Sequence, residues 1–178
     1  MVIYFTGSIA VQNAQKDKYL TIVSSLISQG HTVIADHILN VNEDDVAKKP
    51  RKERLEFHTK VEDWIQSSSC IIAETSYPSV SVGYEIALAT RIGIPVLVLH
   101  STGHAPSLLA EHKNELVITE RYTKEMVGSI LHDFLSYVKD NRDVKFTFYV
   151  TPKHFKYIDE RSKAHKTPKS VYLRQLID

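Results

Sequence analysis

The residues with the most chemical potential in this sequence lie between Glu74 and Glu85. This segment reads Glu-Thr-Ser-Tyr-Pro-Ser-Val-Ser-Val-Gly-Tyr-Glu, and it joins an apolar run to a stretch of helical spacing. Ser79 and Ser81 would stand at the start of that helix, where unpaired backbone N–H groups attract anions. Glu85 would follow within about one turn. Hydroxyls and a carboxylate at a helix start are suited to binding an anion and to attacking an electrophilic carbon.

A carboxylate at the position of Glu85 has two interpretations. It can stabilise the helix by complementing the positive end of the helix dipole. It can also attack C1′ of a sugar, or stabilise an oxocarbenium-like transition state. Helix physics alone favours the first interpretation.

The elements around this segment predict an α/β fold. Short apolar runs alternate with stretches of helical periodicity, which is typical of a parallel sheet covered by helices on both faces. In such sheets, ligands bind at the carboxyl ends of the strands. The predicted strands are Val2–Thr6, Thr32–Ala35, Cys70–Ala73, Pro95–Leu99 and Leu116–Thr119, and the predicted helices are Asn13–Ser28, Arg54–Ser68, Val82–Ile92 and Thr123–Lys139.

The composition is that of a globular protein, with 43% hydrophobic and 24% charged residues among 178. Met1 leads directly into an apolar run, so we expect no secretory signal, and the apolar runs are too short to span a bilayer. One cysteine, Cys70, excludes an internal disulfide framework and fits a reducing cytoplasm. The nine histidines lack metal-ligand spacing. We therefore expect a cytoplasmic protein without a metal or a cofactor.

Charge is distributed unevenly along the chain. From Val144 onward there are 8 Lys and Arg residues against 3 Asp and Glu, whereas the first 143 residues contain 14 and 18. A basic tail on an acidic body indicates two parts with different partners, with nucleic acid a candidate for the tail, although a solvated surface has the same composition. Asn42–Arg54 is also charged and is interrupted by Pro50. We expect a solvated loop there, with at most a helical turn, rather than a phosphate contact.

Two motifs resemble the nucleoside 2-deoxyribosyltransferase superfamily, and most closely its 2′-deoxynucleoside 5′-monophosphate N-glycosidase branch. The first is Tyr4-Phe-Thr-Gly-Ser-Ile9 at the end of the first predicted strand, and the second is Ala73–Ile86. The similarity covers roughly residues 1–140. It implies a five-stranded Rossmann-like domain that forms homodimers and acts on the base–sugar bond of a nucleoside or nucleotide.

The resemblance also implies roles for individual residues. The implied catalytic residues are Glu85, as the family's nucleophile, and Tyr4. Ser79 would hold the 5′-phosphate, and Ser107 would reach the same phosphate from the partner chain. The complete set of implied substrate-binding residues is Gly7, Ser8, Ile9, Ser79, Ser81, Gly83 and Ser107.

Two positions depart from the family pattern. Val61 stands where the family usually has an aspartate that orients the sugar and can assist protonation of the leaving base. Glu62 and Asp63 do not replace it, because they are turned roughly 100° and 200° around the helix. His58 shares the face of Val61 and is a candidate proton donor, although a surface or core-edge histidine is the simpler interpretation. Ala10 stands where the glycosidase branch has a phosphate-contacting arginine, which keeps unphosphorylated nucleosides among the candidate substrates.

The tail, residues 145–178, resembles a ribbon-helix-helix module. Its residues Lys145–Thr151 alternate as a strand does, and Thr151-Pro152 and Thr167-Pro168 each have the signature of a helix start. Two chains of such a module pair their strands, and the outward side chains read the DNA major groove. A dimerisation strap without DNA contact is the alternative. The candidate DNA contacts are Lys145, Thr147 and Tyr149.

Two hypotheses of different classes follow. The first is an N-glycosidase or N-deoxyribosyltransferase that cleaves a base–sugar bond through Glu85. The second is a nucleotide-sensing regulator whose catalytic site has decayed at Val61 and whose tail binds DNA. The sequence decides neither the base and sugar nor whether hydrolysis or transfer takes place.

Overall fold

The computed structural model describes residues 1–41, 50–102, 115–140 and 149–165, together with residues 167, 169, 172, 173 and 176. This part of the chain contains five β-strands and six α-helices. It divides into two compact units, Met1–Arg142 and Asp143–Asp178. None of the helices in these ranges combines the length and the apolar character that a membrane span needs.

One parallel sheet forms the centre of the first unit. Its strands are β1 Val2–Gly7, β2 Thr32–Ile34, β3 Cys70–Glu74, β4 Val96–His100 and β5 Val117–Arg121. They lie in the order β2–β1–β3–β4–β5, and every pairing is parallel. The direction of chain progression reverses between β1 and β3, where Gly7 pairs with Glu74. In doubly wound sheets, the carboxyl ends of the strands at such a reversal form the ligand crevice.

Helices cover both faces of the sheet, as the sequence pattern predicts. They are α1 Gln12–Ser28, α2 Asp36–Leu39, α3 Arg51–Ser67, α4 Val80–Ile92 and α5 Val127–Asp140, and a 3₁₀ turn, Ile9–Val11, follows β1. One apolar cluster joins α1 and α5 to Phe5, and a second joins α3 and α4 to Tyr4. Tyr4 and Phe5 enter different clusters because successive strand side chains point to opposite faces. The predicted five-stranded parallel α/β fold is therefore confirmed.

The helix that carries Glu85 has well-defined ends. Ser79 adopts an extended conformation before α4, and its Oγ accepts a hydrogen bond from the Val82 N–H at 3.4 Å. Gly93 ends the helix in the left-handed conformation, at φ 86°, which glycine adopts without steric penalty. Ser79, a predicted substrate-binding residue, is therefore also the N-cap of α4.

Two expectations near the site are wrong. Arg51–Glu53 were expected in a loop before a helix that begins at Arg54, but α3 begins at Arg51, and the Arg54 N–H donates to the Pro50 carbonyl at 3.1 Å. Pro50 precedes the helix instead of interrupting it, because proline's fixed φ is compatible with a helix start. The short helix α2 was not predicted, since four residues are too few for a periodic signal. Residues 42–49 lie outside the described part of the chain.

The second unit contains α6, Pro152–Ala164. As the Thr-Pro signature predicts, Thr151 caps this helix, its Oγ1 accepting from the His154 N–H at 3.3 Å. Of the expected ribbon strand, residues 149–151 are described and are not in a strand, and the Tyr149 side chain is fully exposed. Lys145 and Thr147 lie outside the described residues, so the ribbon-helix-helix assignment stays a prediction.

Candidate active site

A cavity of about 740 Å³ lies at the carboxyl ends of β1 and β3. This volume is within the range of roughly 300–1,000 Å³ that is typical of ligand pockets. Its wall combines the turn after β1, the region of α2, one face of α3 and the first turns of α4. The predicted site residues that line it are Gly7, Ser8, Ile9, His58, Ser79, Ser81 and Glu85. The fold thus brings together, around one space, side chains that are far apart in sequence.

Two predicted residues have other positions, and a third lies outside the described residues. Tyr4 is fully buried in β1 and lies near Glu85, on the core side of the cavity wall. Gly83 is exposed on α4, away from the cavity lining. Ser107, which was expected to come from a partner chain, falls outside the described residues.

Glu85 is a buried carboxyl group that faces the cavity. Its side chain is 8% exposed, and this burial raises its pKa to about 7, although the nearby Thr6 and Tyr4 hydroxyls partly oppose the rise. Near neutral pH the group therefore exists in both protonation forms. A carboxyl group poised in this way beside a cavity is typical of catalytic acids, bases and nucleophiles.

The polar atoms around Glu85 make no hydrogen bond of good geometry within the described part of the chain, although the Tyr4 and Thr6 hydroxyls lie close enough to Glu85 to lower its pKa. Among the described residues, no partner of suitable geometry is present for Glu85 Oε2, the Tyr4 hydroxyl or Thr6 Oγ1. Burial, reinforced by the charge of Glu85, holds the pKa of Tyr4 far above its usual value, so this hydroxyl stays protonated and able to donate. An unpaired buried polar atom costs about 1–3 kcal/mol. Three buried polar atoms with incompletely formed hydrogen bonds beside one cavity are typical of a ligand site.

The turn after β1 brings the backbone close to the cavity. At Gly7, an added Cβ would lie 2.8 Å from Cζ of Tyr19, so any larger residue would displace this ring. The Tyr19 hydroxyl donates to the Ser8 carbonyl at 3.1 Å and fixes the turn. Gly7 is therefore required by close packing of the turn against α1.

His37, on α2, is a cavity residue that the sequence did not single out. Its ring stacks on Tyr4 with centroids 4.8 Å apart and planes at 16°, and it also contacts Trp64 and Phe57, at 5.2 and 6.4 Å between centroids. Burial lowers the pKa of His37 to about 4, so the imidazole is neutral at physiological pH. Neither ring nitrogen has a hydrogen-bond partner within the described ranges. One nitrogen can therefore donate to a ligand and the other can accept.

Arg54 also lines the cavity, whereas the basic run that ends at this residue was expected to be solvated. Helices α3 and α4 run in the same direction, because each connects parallel strands on one face of the sheet. The Tyr84 hydroxyl donates to Glu62 Oε1 at 3.2 Å, which sets the relative level of the two helices. One turn earlier on each helix, His58 on α3 is close to level with Ser81 on α4, and Arg54 lies a further turn towards the N-terminus of α3. A guanidinium group thus lies at the same end of the cavity as the N-terminus of α4.

Three polar side chains form a cluster at the rim of the cavity, beside Val61. His58 Nδ1 lies 3.7 Å from Glu62 Oε1, the oxygen that accepts from Tyr84. The rings of His58 and Tyr84 are 5.4 Å apart between centroids. Val61 itself is buried and lines the cavity without offering a polar atom. His58 and Val61 therefore share the cavity face of α3, as the helical spacing predicts.

A second buried carboxyl group, Glu74, ends β3 outside the cavity lining. Its Oε1 accepts hydrogen bonds from the hydroxyls of Ser76 and of Tyr122, the latter at 3.1 Å. Ser76 Oγ lies 2.9 Å from Ser101 Oγ, which accepts from Lys18 Nζ at 3.0 Å. This network joins the ends of β3 and β4 and fixes the start of the segment that leads to Ser79.

Metal ligation finds no support in the described part of the chain. There, no group of three or more His, Cys, Asp and Glu side chains is arranged to hold an ion.

Comparison with known proteins identifies the family. No family model matches the sequence. A Methanococcoides burtonii protein named as a 2′-deoxynucleoside 5′-phosphate N-hydrolase is 33% identical over 104 residues, which are 56% of this chain and 80% of that protein. A protein of the same name from Syntrophotalea carbinolica is 31% identical over 123 residues, 68% of this chain and 84% of the relative.

The chain belongs to the nucleoside 2-deoxyribosyltransferase superfamily, in its 2′-deoxynucleoside 5′-phosphate N-hydrolase branch. The resemblance of the two sequence motifs is thereby confirmed. A third relative, the 5-hydroxymethyl-dUMP N-hydrolase of Tetraodon nigroviridis, is 28% identical to this chain, and the alignment covers 76% of this chain and 98% of the relative. The Clostridium botulinum CMP N-glycosidase BcmB has the same fold, with a TM-score of 0.54 over 75% of this chain and 99% of that chain at 17% identity.

Sequence reasoning missed several residues that line the cavity, among them Arg54 and His37, for different reasons. Arg54 was visible as a basic residue, but its role depended on where α3 begins. His37 had no signal other than its place just after the second strand. Both residues reach the site through the packing of α2 and α3, which no local motif encodes.

Proposed function

We propose that this chain hydrolyses the N-glycosidic bond of a 2′-deoxynucleoside 5′-monophosphate, with Glu85 as the nucleophile. One observation carries the proposal: a buried carboxyl group with its pKa raised to about 7 lines a cavity of about 740 Å³ at the strand ends. Relatives named as nucleotide N-hydrolases support the reaction class.

The proposed chemistry begins with ionised Glu85. One of its oxygens attacks C1′, the C1′–N bond breaks, and the base leaves with the bonding electron pair. A glycosyl ester of Glu85 results, as in other enzymes that use a carboxylate nucleophile. Water then attacks C1′ of the ester, which releases the sugar 5-phosphate and regenerates the carboxylate. The buried Tyr4 and Thr6 hydroxyls, which lie close to Glu85, can donate hydrogen bonds to Glu85 or to the sugar.

The phosphate is proposed to bind at the N-terminus of α4. Ser79 and Ser81 line this end of the cavity, and the first N–H groups of a helix favour an anion. Arg54 lines the same cavity from near the N-terminus of α3. We propose that it supplies the positive charge that Ala10 does not. Ser107 of a partner chain is proposed to complete the phosphate site.

The base is proposed to bind among the apolar residues and the neutral imidazole. Ile38, Phe57 and Val61 line the cavity together with His37. A flat heteroaromatic ring gains dispersion energy against such walls. The two free nitrogens of His37 can pair with one donor and one acceptor of the base.

The test is release of free base from a panel of nucleotides. The purified chain is incubated with dAMP, dGMP, dCMP, dTMP, 5-hydroxymethyl-dUMP and CMP, and with the matching nucleosides, and the products are separated by chromatography. We expect base release from at least one deoxynucleotide, absent in Glu85→Gln and preserved in Glu56→Gln, which changes an exposed glutamate of α3. Equal release by Glu85→Gln would refute Glu85 as the nucleophile. No release from any compound would refute the activity and favour the nucleotide-sensing regulator.

For the tail, we propose assembly with a second copy. Within the described residues of α6, Ser162 is the one buried side chain, and the aromatic rings of Phe155 and Tyr157 are about half exposed. Such a small unit lacks enough apolar burial to be stable alone. Replacing Phe155 and Tyr157 by Asp should lower the oligomeric state in analytical ultracentrifugation. Salt-sensitive binding of duplex DNA, lost in Lys145→Ala, would support the additional DNA-binding role.

A further inference from the structure

We propose that His58 is the acid that protonates the leaving base, and that Glu62 and Tyr84 hold its imidazole in position. The proposal rests on the proposed N-glycosidase function and concerns the proton that this reaction requires. It assigns a role to the polar cluster at the rim of the cavity, which neither the nucleophile nor the phosphate site uses.

The reaction needs a proton donor that Val61 cannot provide. A purine or pyrimidine anion is a poor leaving group, and general acids accelerate such departures by about 10²–10⁴-fold. The position that carries an aspartate in the family carries Val61 here, and its side chain lines the cavity without a polar atom. Another group on the cavity wall must therefore hold the proton.

Most titratable groups on the described cavity wall are unsuitable. His37 has its pKa lowered to about 4 and is already neutral at physiological pH. Arg54 does not release its protons under physiological conditions. The pKa of Tyr84 is raised by desolvation and by its hydrogen bond to Glu62, and Glu85 is assigned as the nucleophile. His58 remains: it lines the cavity, and histidine is the side chain most often used for general acid–base catalysis.

The geometry around His58 is that of a supported imidazole. Glu62 Oε1, one turn later on α3, lies 3.7 Å from Nδ1 and favours a proton on this nitrogen. The Tyr84 hydroxyl donates to the same oxygen at 3.2 Å, and so ties the carboxylate to α4. The His58 ring also lies beside the Tyr84 ring, at 5.4 Å between centroids. Nε2, on the opposite side of the ring, is then the nitrogen that exchanges the catalytic proton.

The proton balance closes over one turnover. As the C1′–N bond breaks, its electron pair moves to the base, and the Nε2 proton of imidazolium His58 is transferred to the base. His58 is then neutral and accepts a proton from the water that attacks the glycosyl ester. Glu85 leaves as the carboxylate, and both groups return to their starting forms. The sum is nucleotide plus water giving free base and sugar 5-phosphate.

The experiment compares two leaving groups. The probes are the best deoxynucleotide of the panel and the 4-nitrophenyl glycoside of 2-deoxyribose 5-phosphate, whose nitrophenolate departs without a proton. The first-turnover burst is measured, because it reports the bond-breaking step alone. We expect His58→Gln to slow base release by about 10²–10⁴-fold and to leave the nitrophenolate burst within about threefold of the original. Exposed His132 on α5 provides the matched control, His132→Gln, which should change neither.

The positioning residues Glu62 and Tyr84 are tested by comparing the same two rates, base release from the nucleotide and the nitrophenolate burst. Glu62→Gln and Tyr84→Phe should give smaller losses, again confined to the nucleotide, because each acts through His58. A carboxyl group introduced at position 61 should also compensate for the loss of His58. In the His58→Gln background, Val61→Asp should recover base release and Val61→Asn should not.

The outcomes separate the two claims. Equal slowing of both probes by His58→Gln, or equal rates for the Asp and Asn variants at position 61, would overturn the role of His58 while leaving Glu85 as nucleophile. Two results together support both roles. Glu85→Gln loses the burst with both probes, and His58→Gln slows only the release of the base. If the unaltered chain cleaves neither probe, the proposed function fails and the assignment of His58 falls with it.

Discussion

Two buried carboxyl groups, Glu74 and Glu85, lie only eleven residues apart on the two sides of the same turn, yet their surroundings differ. Glu74 accepts hydrogen bonds from the hydroxyls of Ser76 and Tyr122, and Lys18 lies near enough to lower its pKa in part. Glu85 faces the cavity, and the hydroxyls beside it make no well-formed hydrogen bond in the described structure. The first environment serves the fold, and the second leaves polar groups ready for a ligand.

The difference between the surroundings of Glu74 and Glu85 shows that burial alone does not identify a catalytic group. Burial raises the pKa of both carboxyl groups. In each carboxyl group, Oε2 lacks a partner of good geometry among the described residues. The adjoining cavity distinguishes Glu85, because a substrate can enter there. Each of the following predictions changes one side of this comparison.

The largest expected effect is on catalysis. Glu85→Gln should lower the rate of base release on the order of 10³-fold or more, because loss of a nucleophile removes the covalent route. Glu74→Gln should keep the rate within about tenfold of the original and lower stability instead, since a buried donor or acceptor loses its partner. Steady-state kinetics and urea unfolding on the same two variants measure both effects. Equal activity losses would remove the distinction between the two carboxyl groups.

The second effect is the pH dependence of stability. The folded-state pKa of Glu85, about 7, is above the unfolded value of 4.5, so stability falls as pH rises between these values. Glu85→Gln cannot ionise and should escape this loss. The free energy of unfolding of Glu85→Gln, relative to that of the original chain, should change little at pH 4 and should be higher by about 3 kcal/mol at pH 8. Urea unfolding at both pH values measures this difference. A gain independent of pH would contradict a buried, titrating Glu85.

His37 should show the opposite dependence. Its folded-state pKa of about 4 is below the unfolded value of 6.5, so the unfolded chain binds more protons and stability falls as pH decreases through this interval. His37→Phe keeps an aromatic ring beside Tyr4 and removes the titration. The stability of His37→Phe relative to the original chain should therefore rise by about 3 kcal/mol as the pH falls from 7 to 4. Urea unfolding at intermediate pH values gives the curve, and a flat difference would indicate that His37 is accessible to protons in the folded state.

The smallest effect concerns the Glu74 network. Tyr122→Phe removes one hydroxyl from Glu74 Oε1 and should cost about 1–3 kcal/mol of stability, with kcat for base release nearly unchanged. Thermal unfolding and single-substrate kinetics test this together. A large loss of kcat with unchanged stability would mean that Glu74 takes part in the chemistry.

The sequence predicted those parts of the fold and site that local pattern encodes. The strands were visible as apolar runs, and Ser79, Ser81 and Glu85 lie in one continuous segment at a predicted helix start. The distant members of the Glu74 network were not visible, because Ser101 lies 25 residues from Ser76, and Tyr122 lies 48 residues from Glu74. Arg54 and His37 needed the packing of α2 and α3 to be known. The raised pKa of Glu85 depends on burial by residues from several elements and has no sequence signature.

The most direct test of the account is to trap the bond that Glu85 is proposed to form. A 2′-deoxy-2′-fluoroarabinonucleoside 5′-monophosphate slows hydrolysis of the glycosyl ester, because the fluorine destabilises the oxocarbenium-like transition state. After incubation, peptide mass spectrometry should locate one fluorinated sugar phosphate on Glu85, and no adduct should form in Glu85→Gln. An adduct on another residue, or base release from this probe with Glu85 never modified, would contradict the central claim.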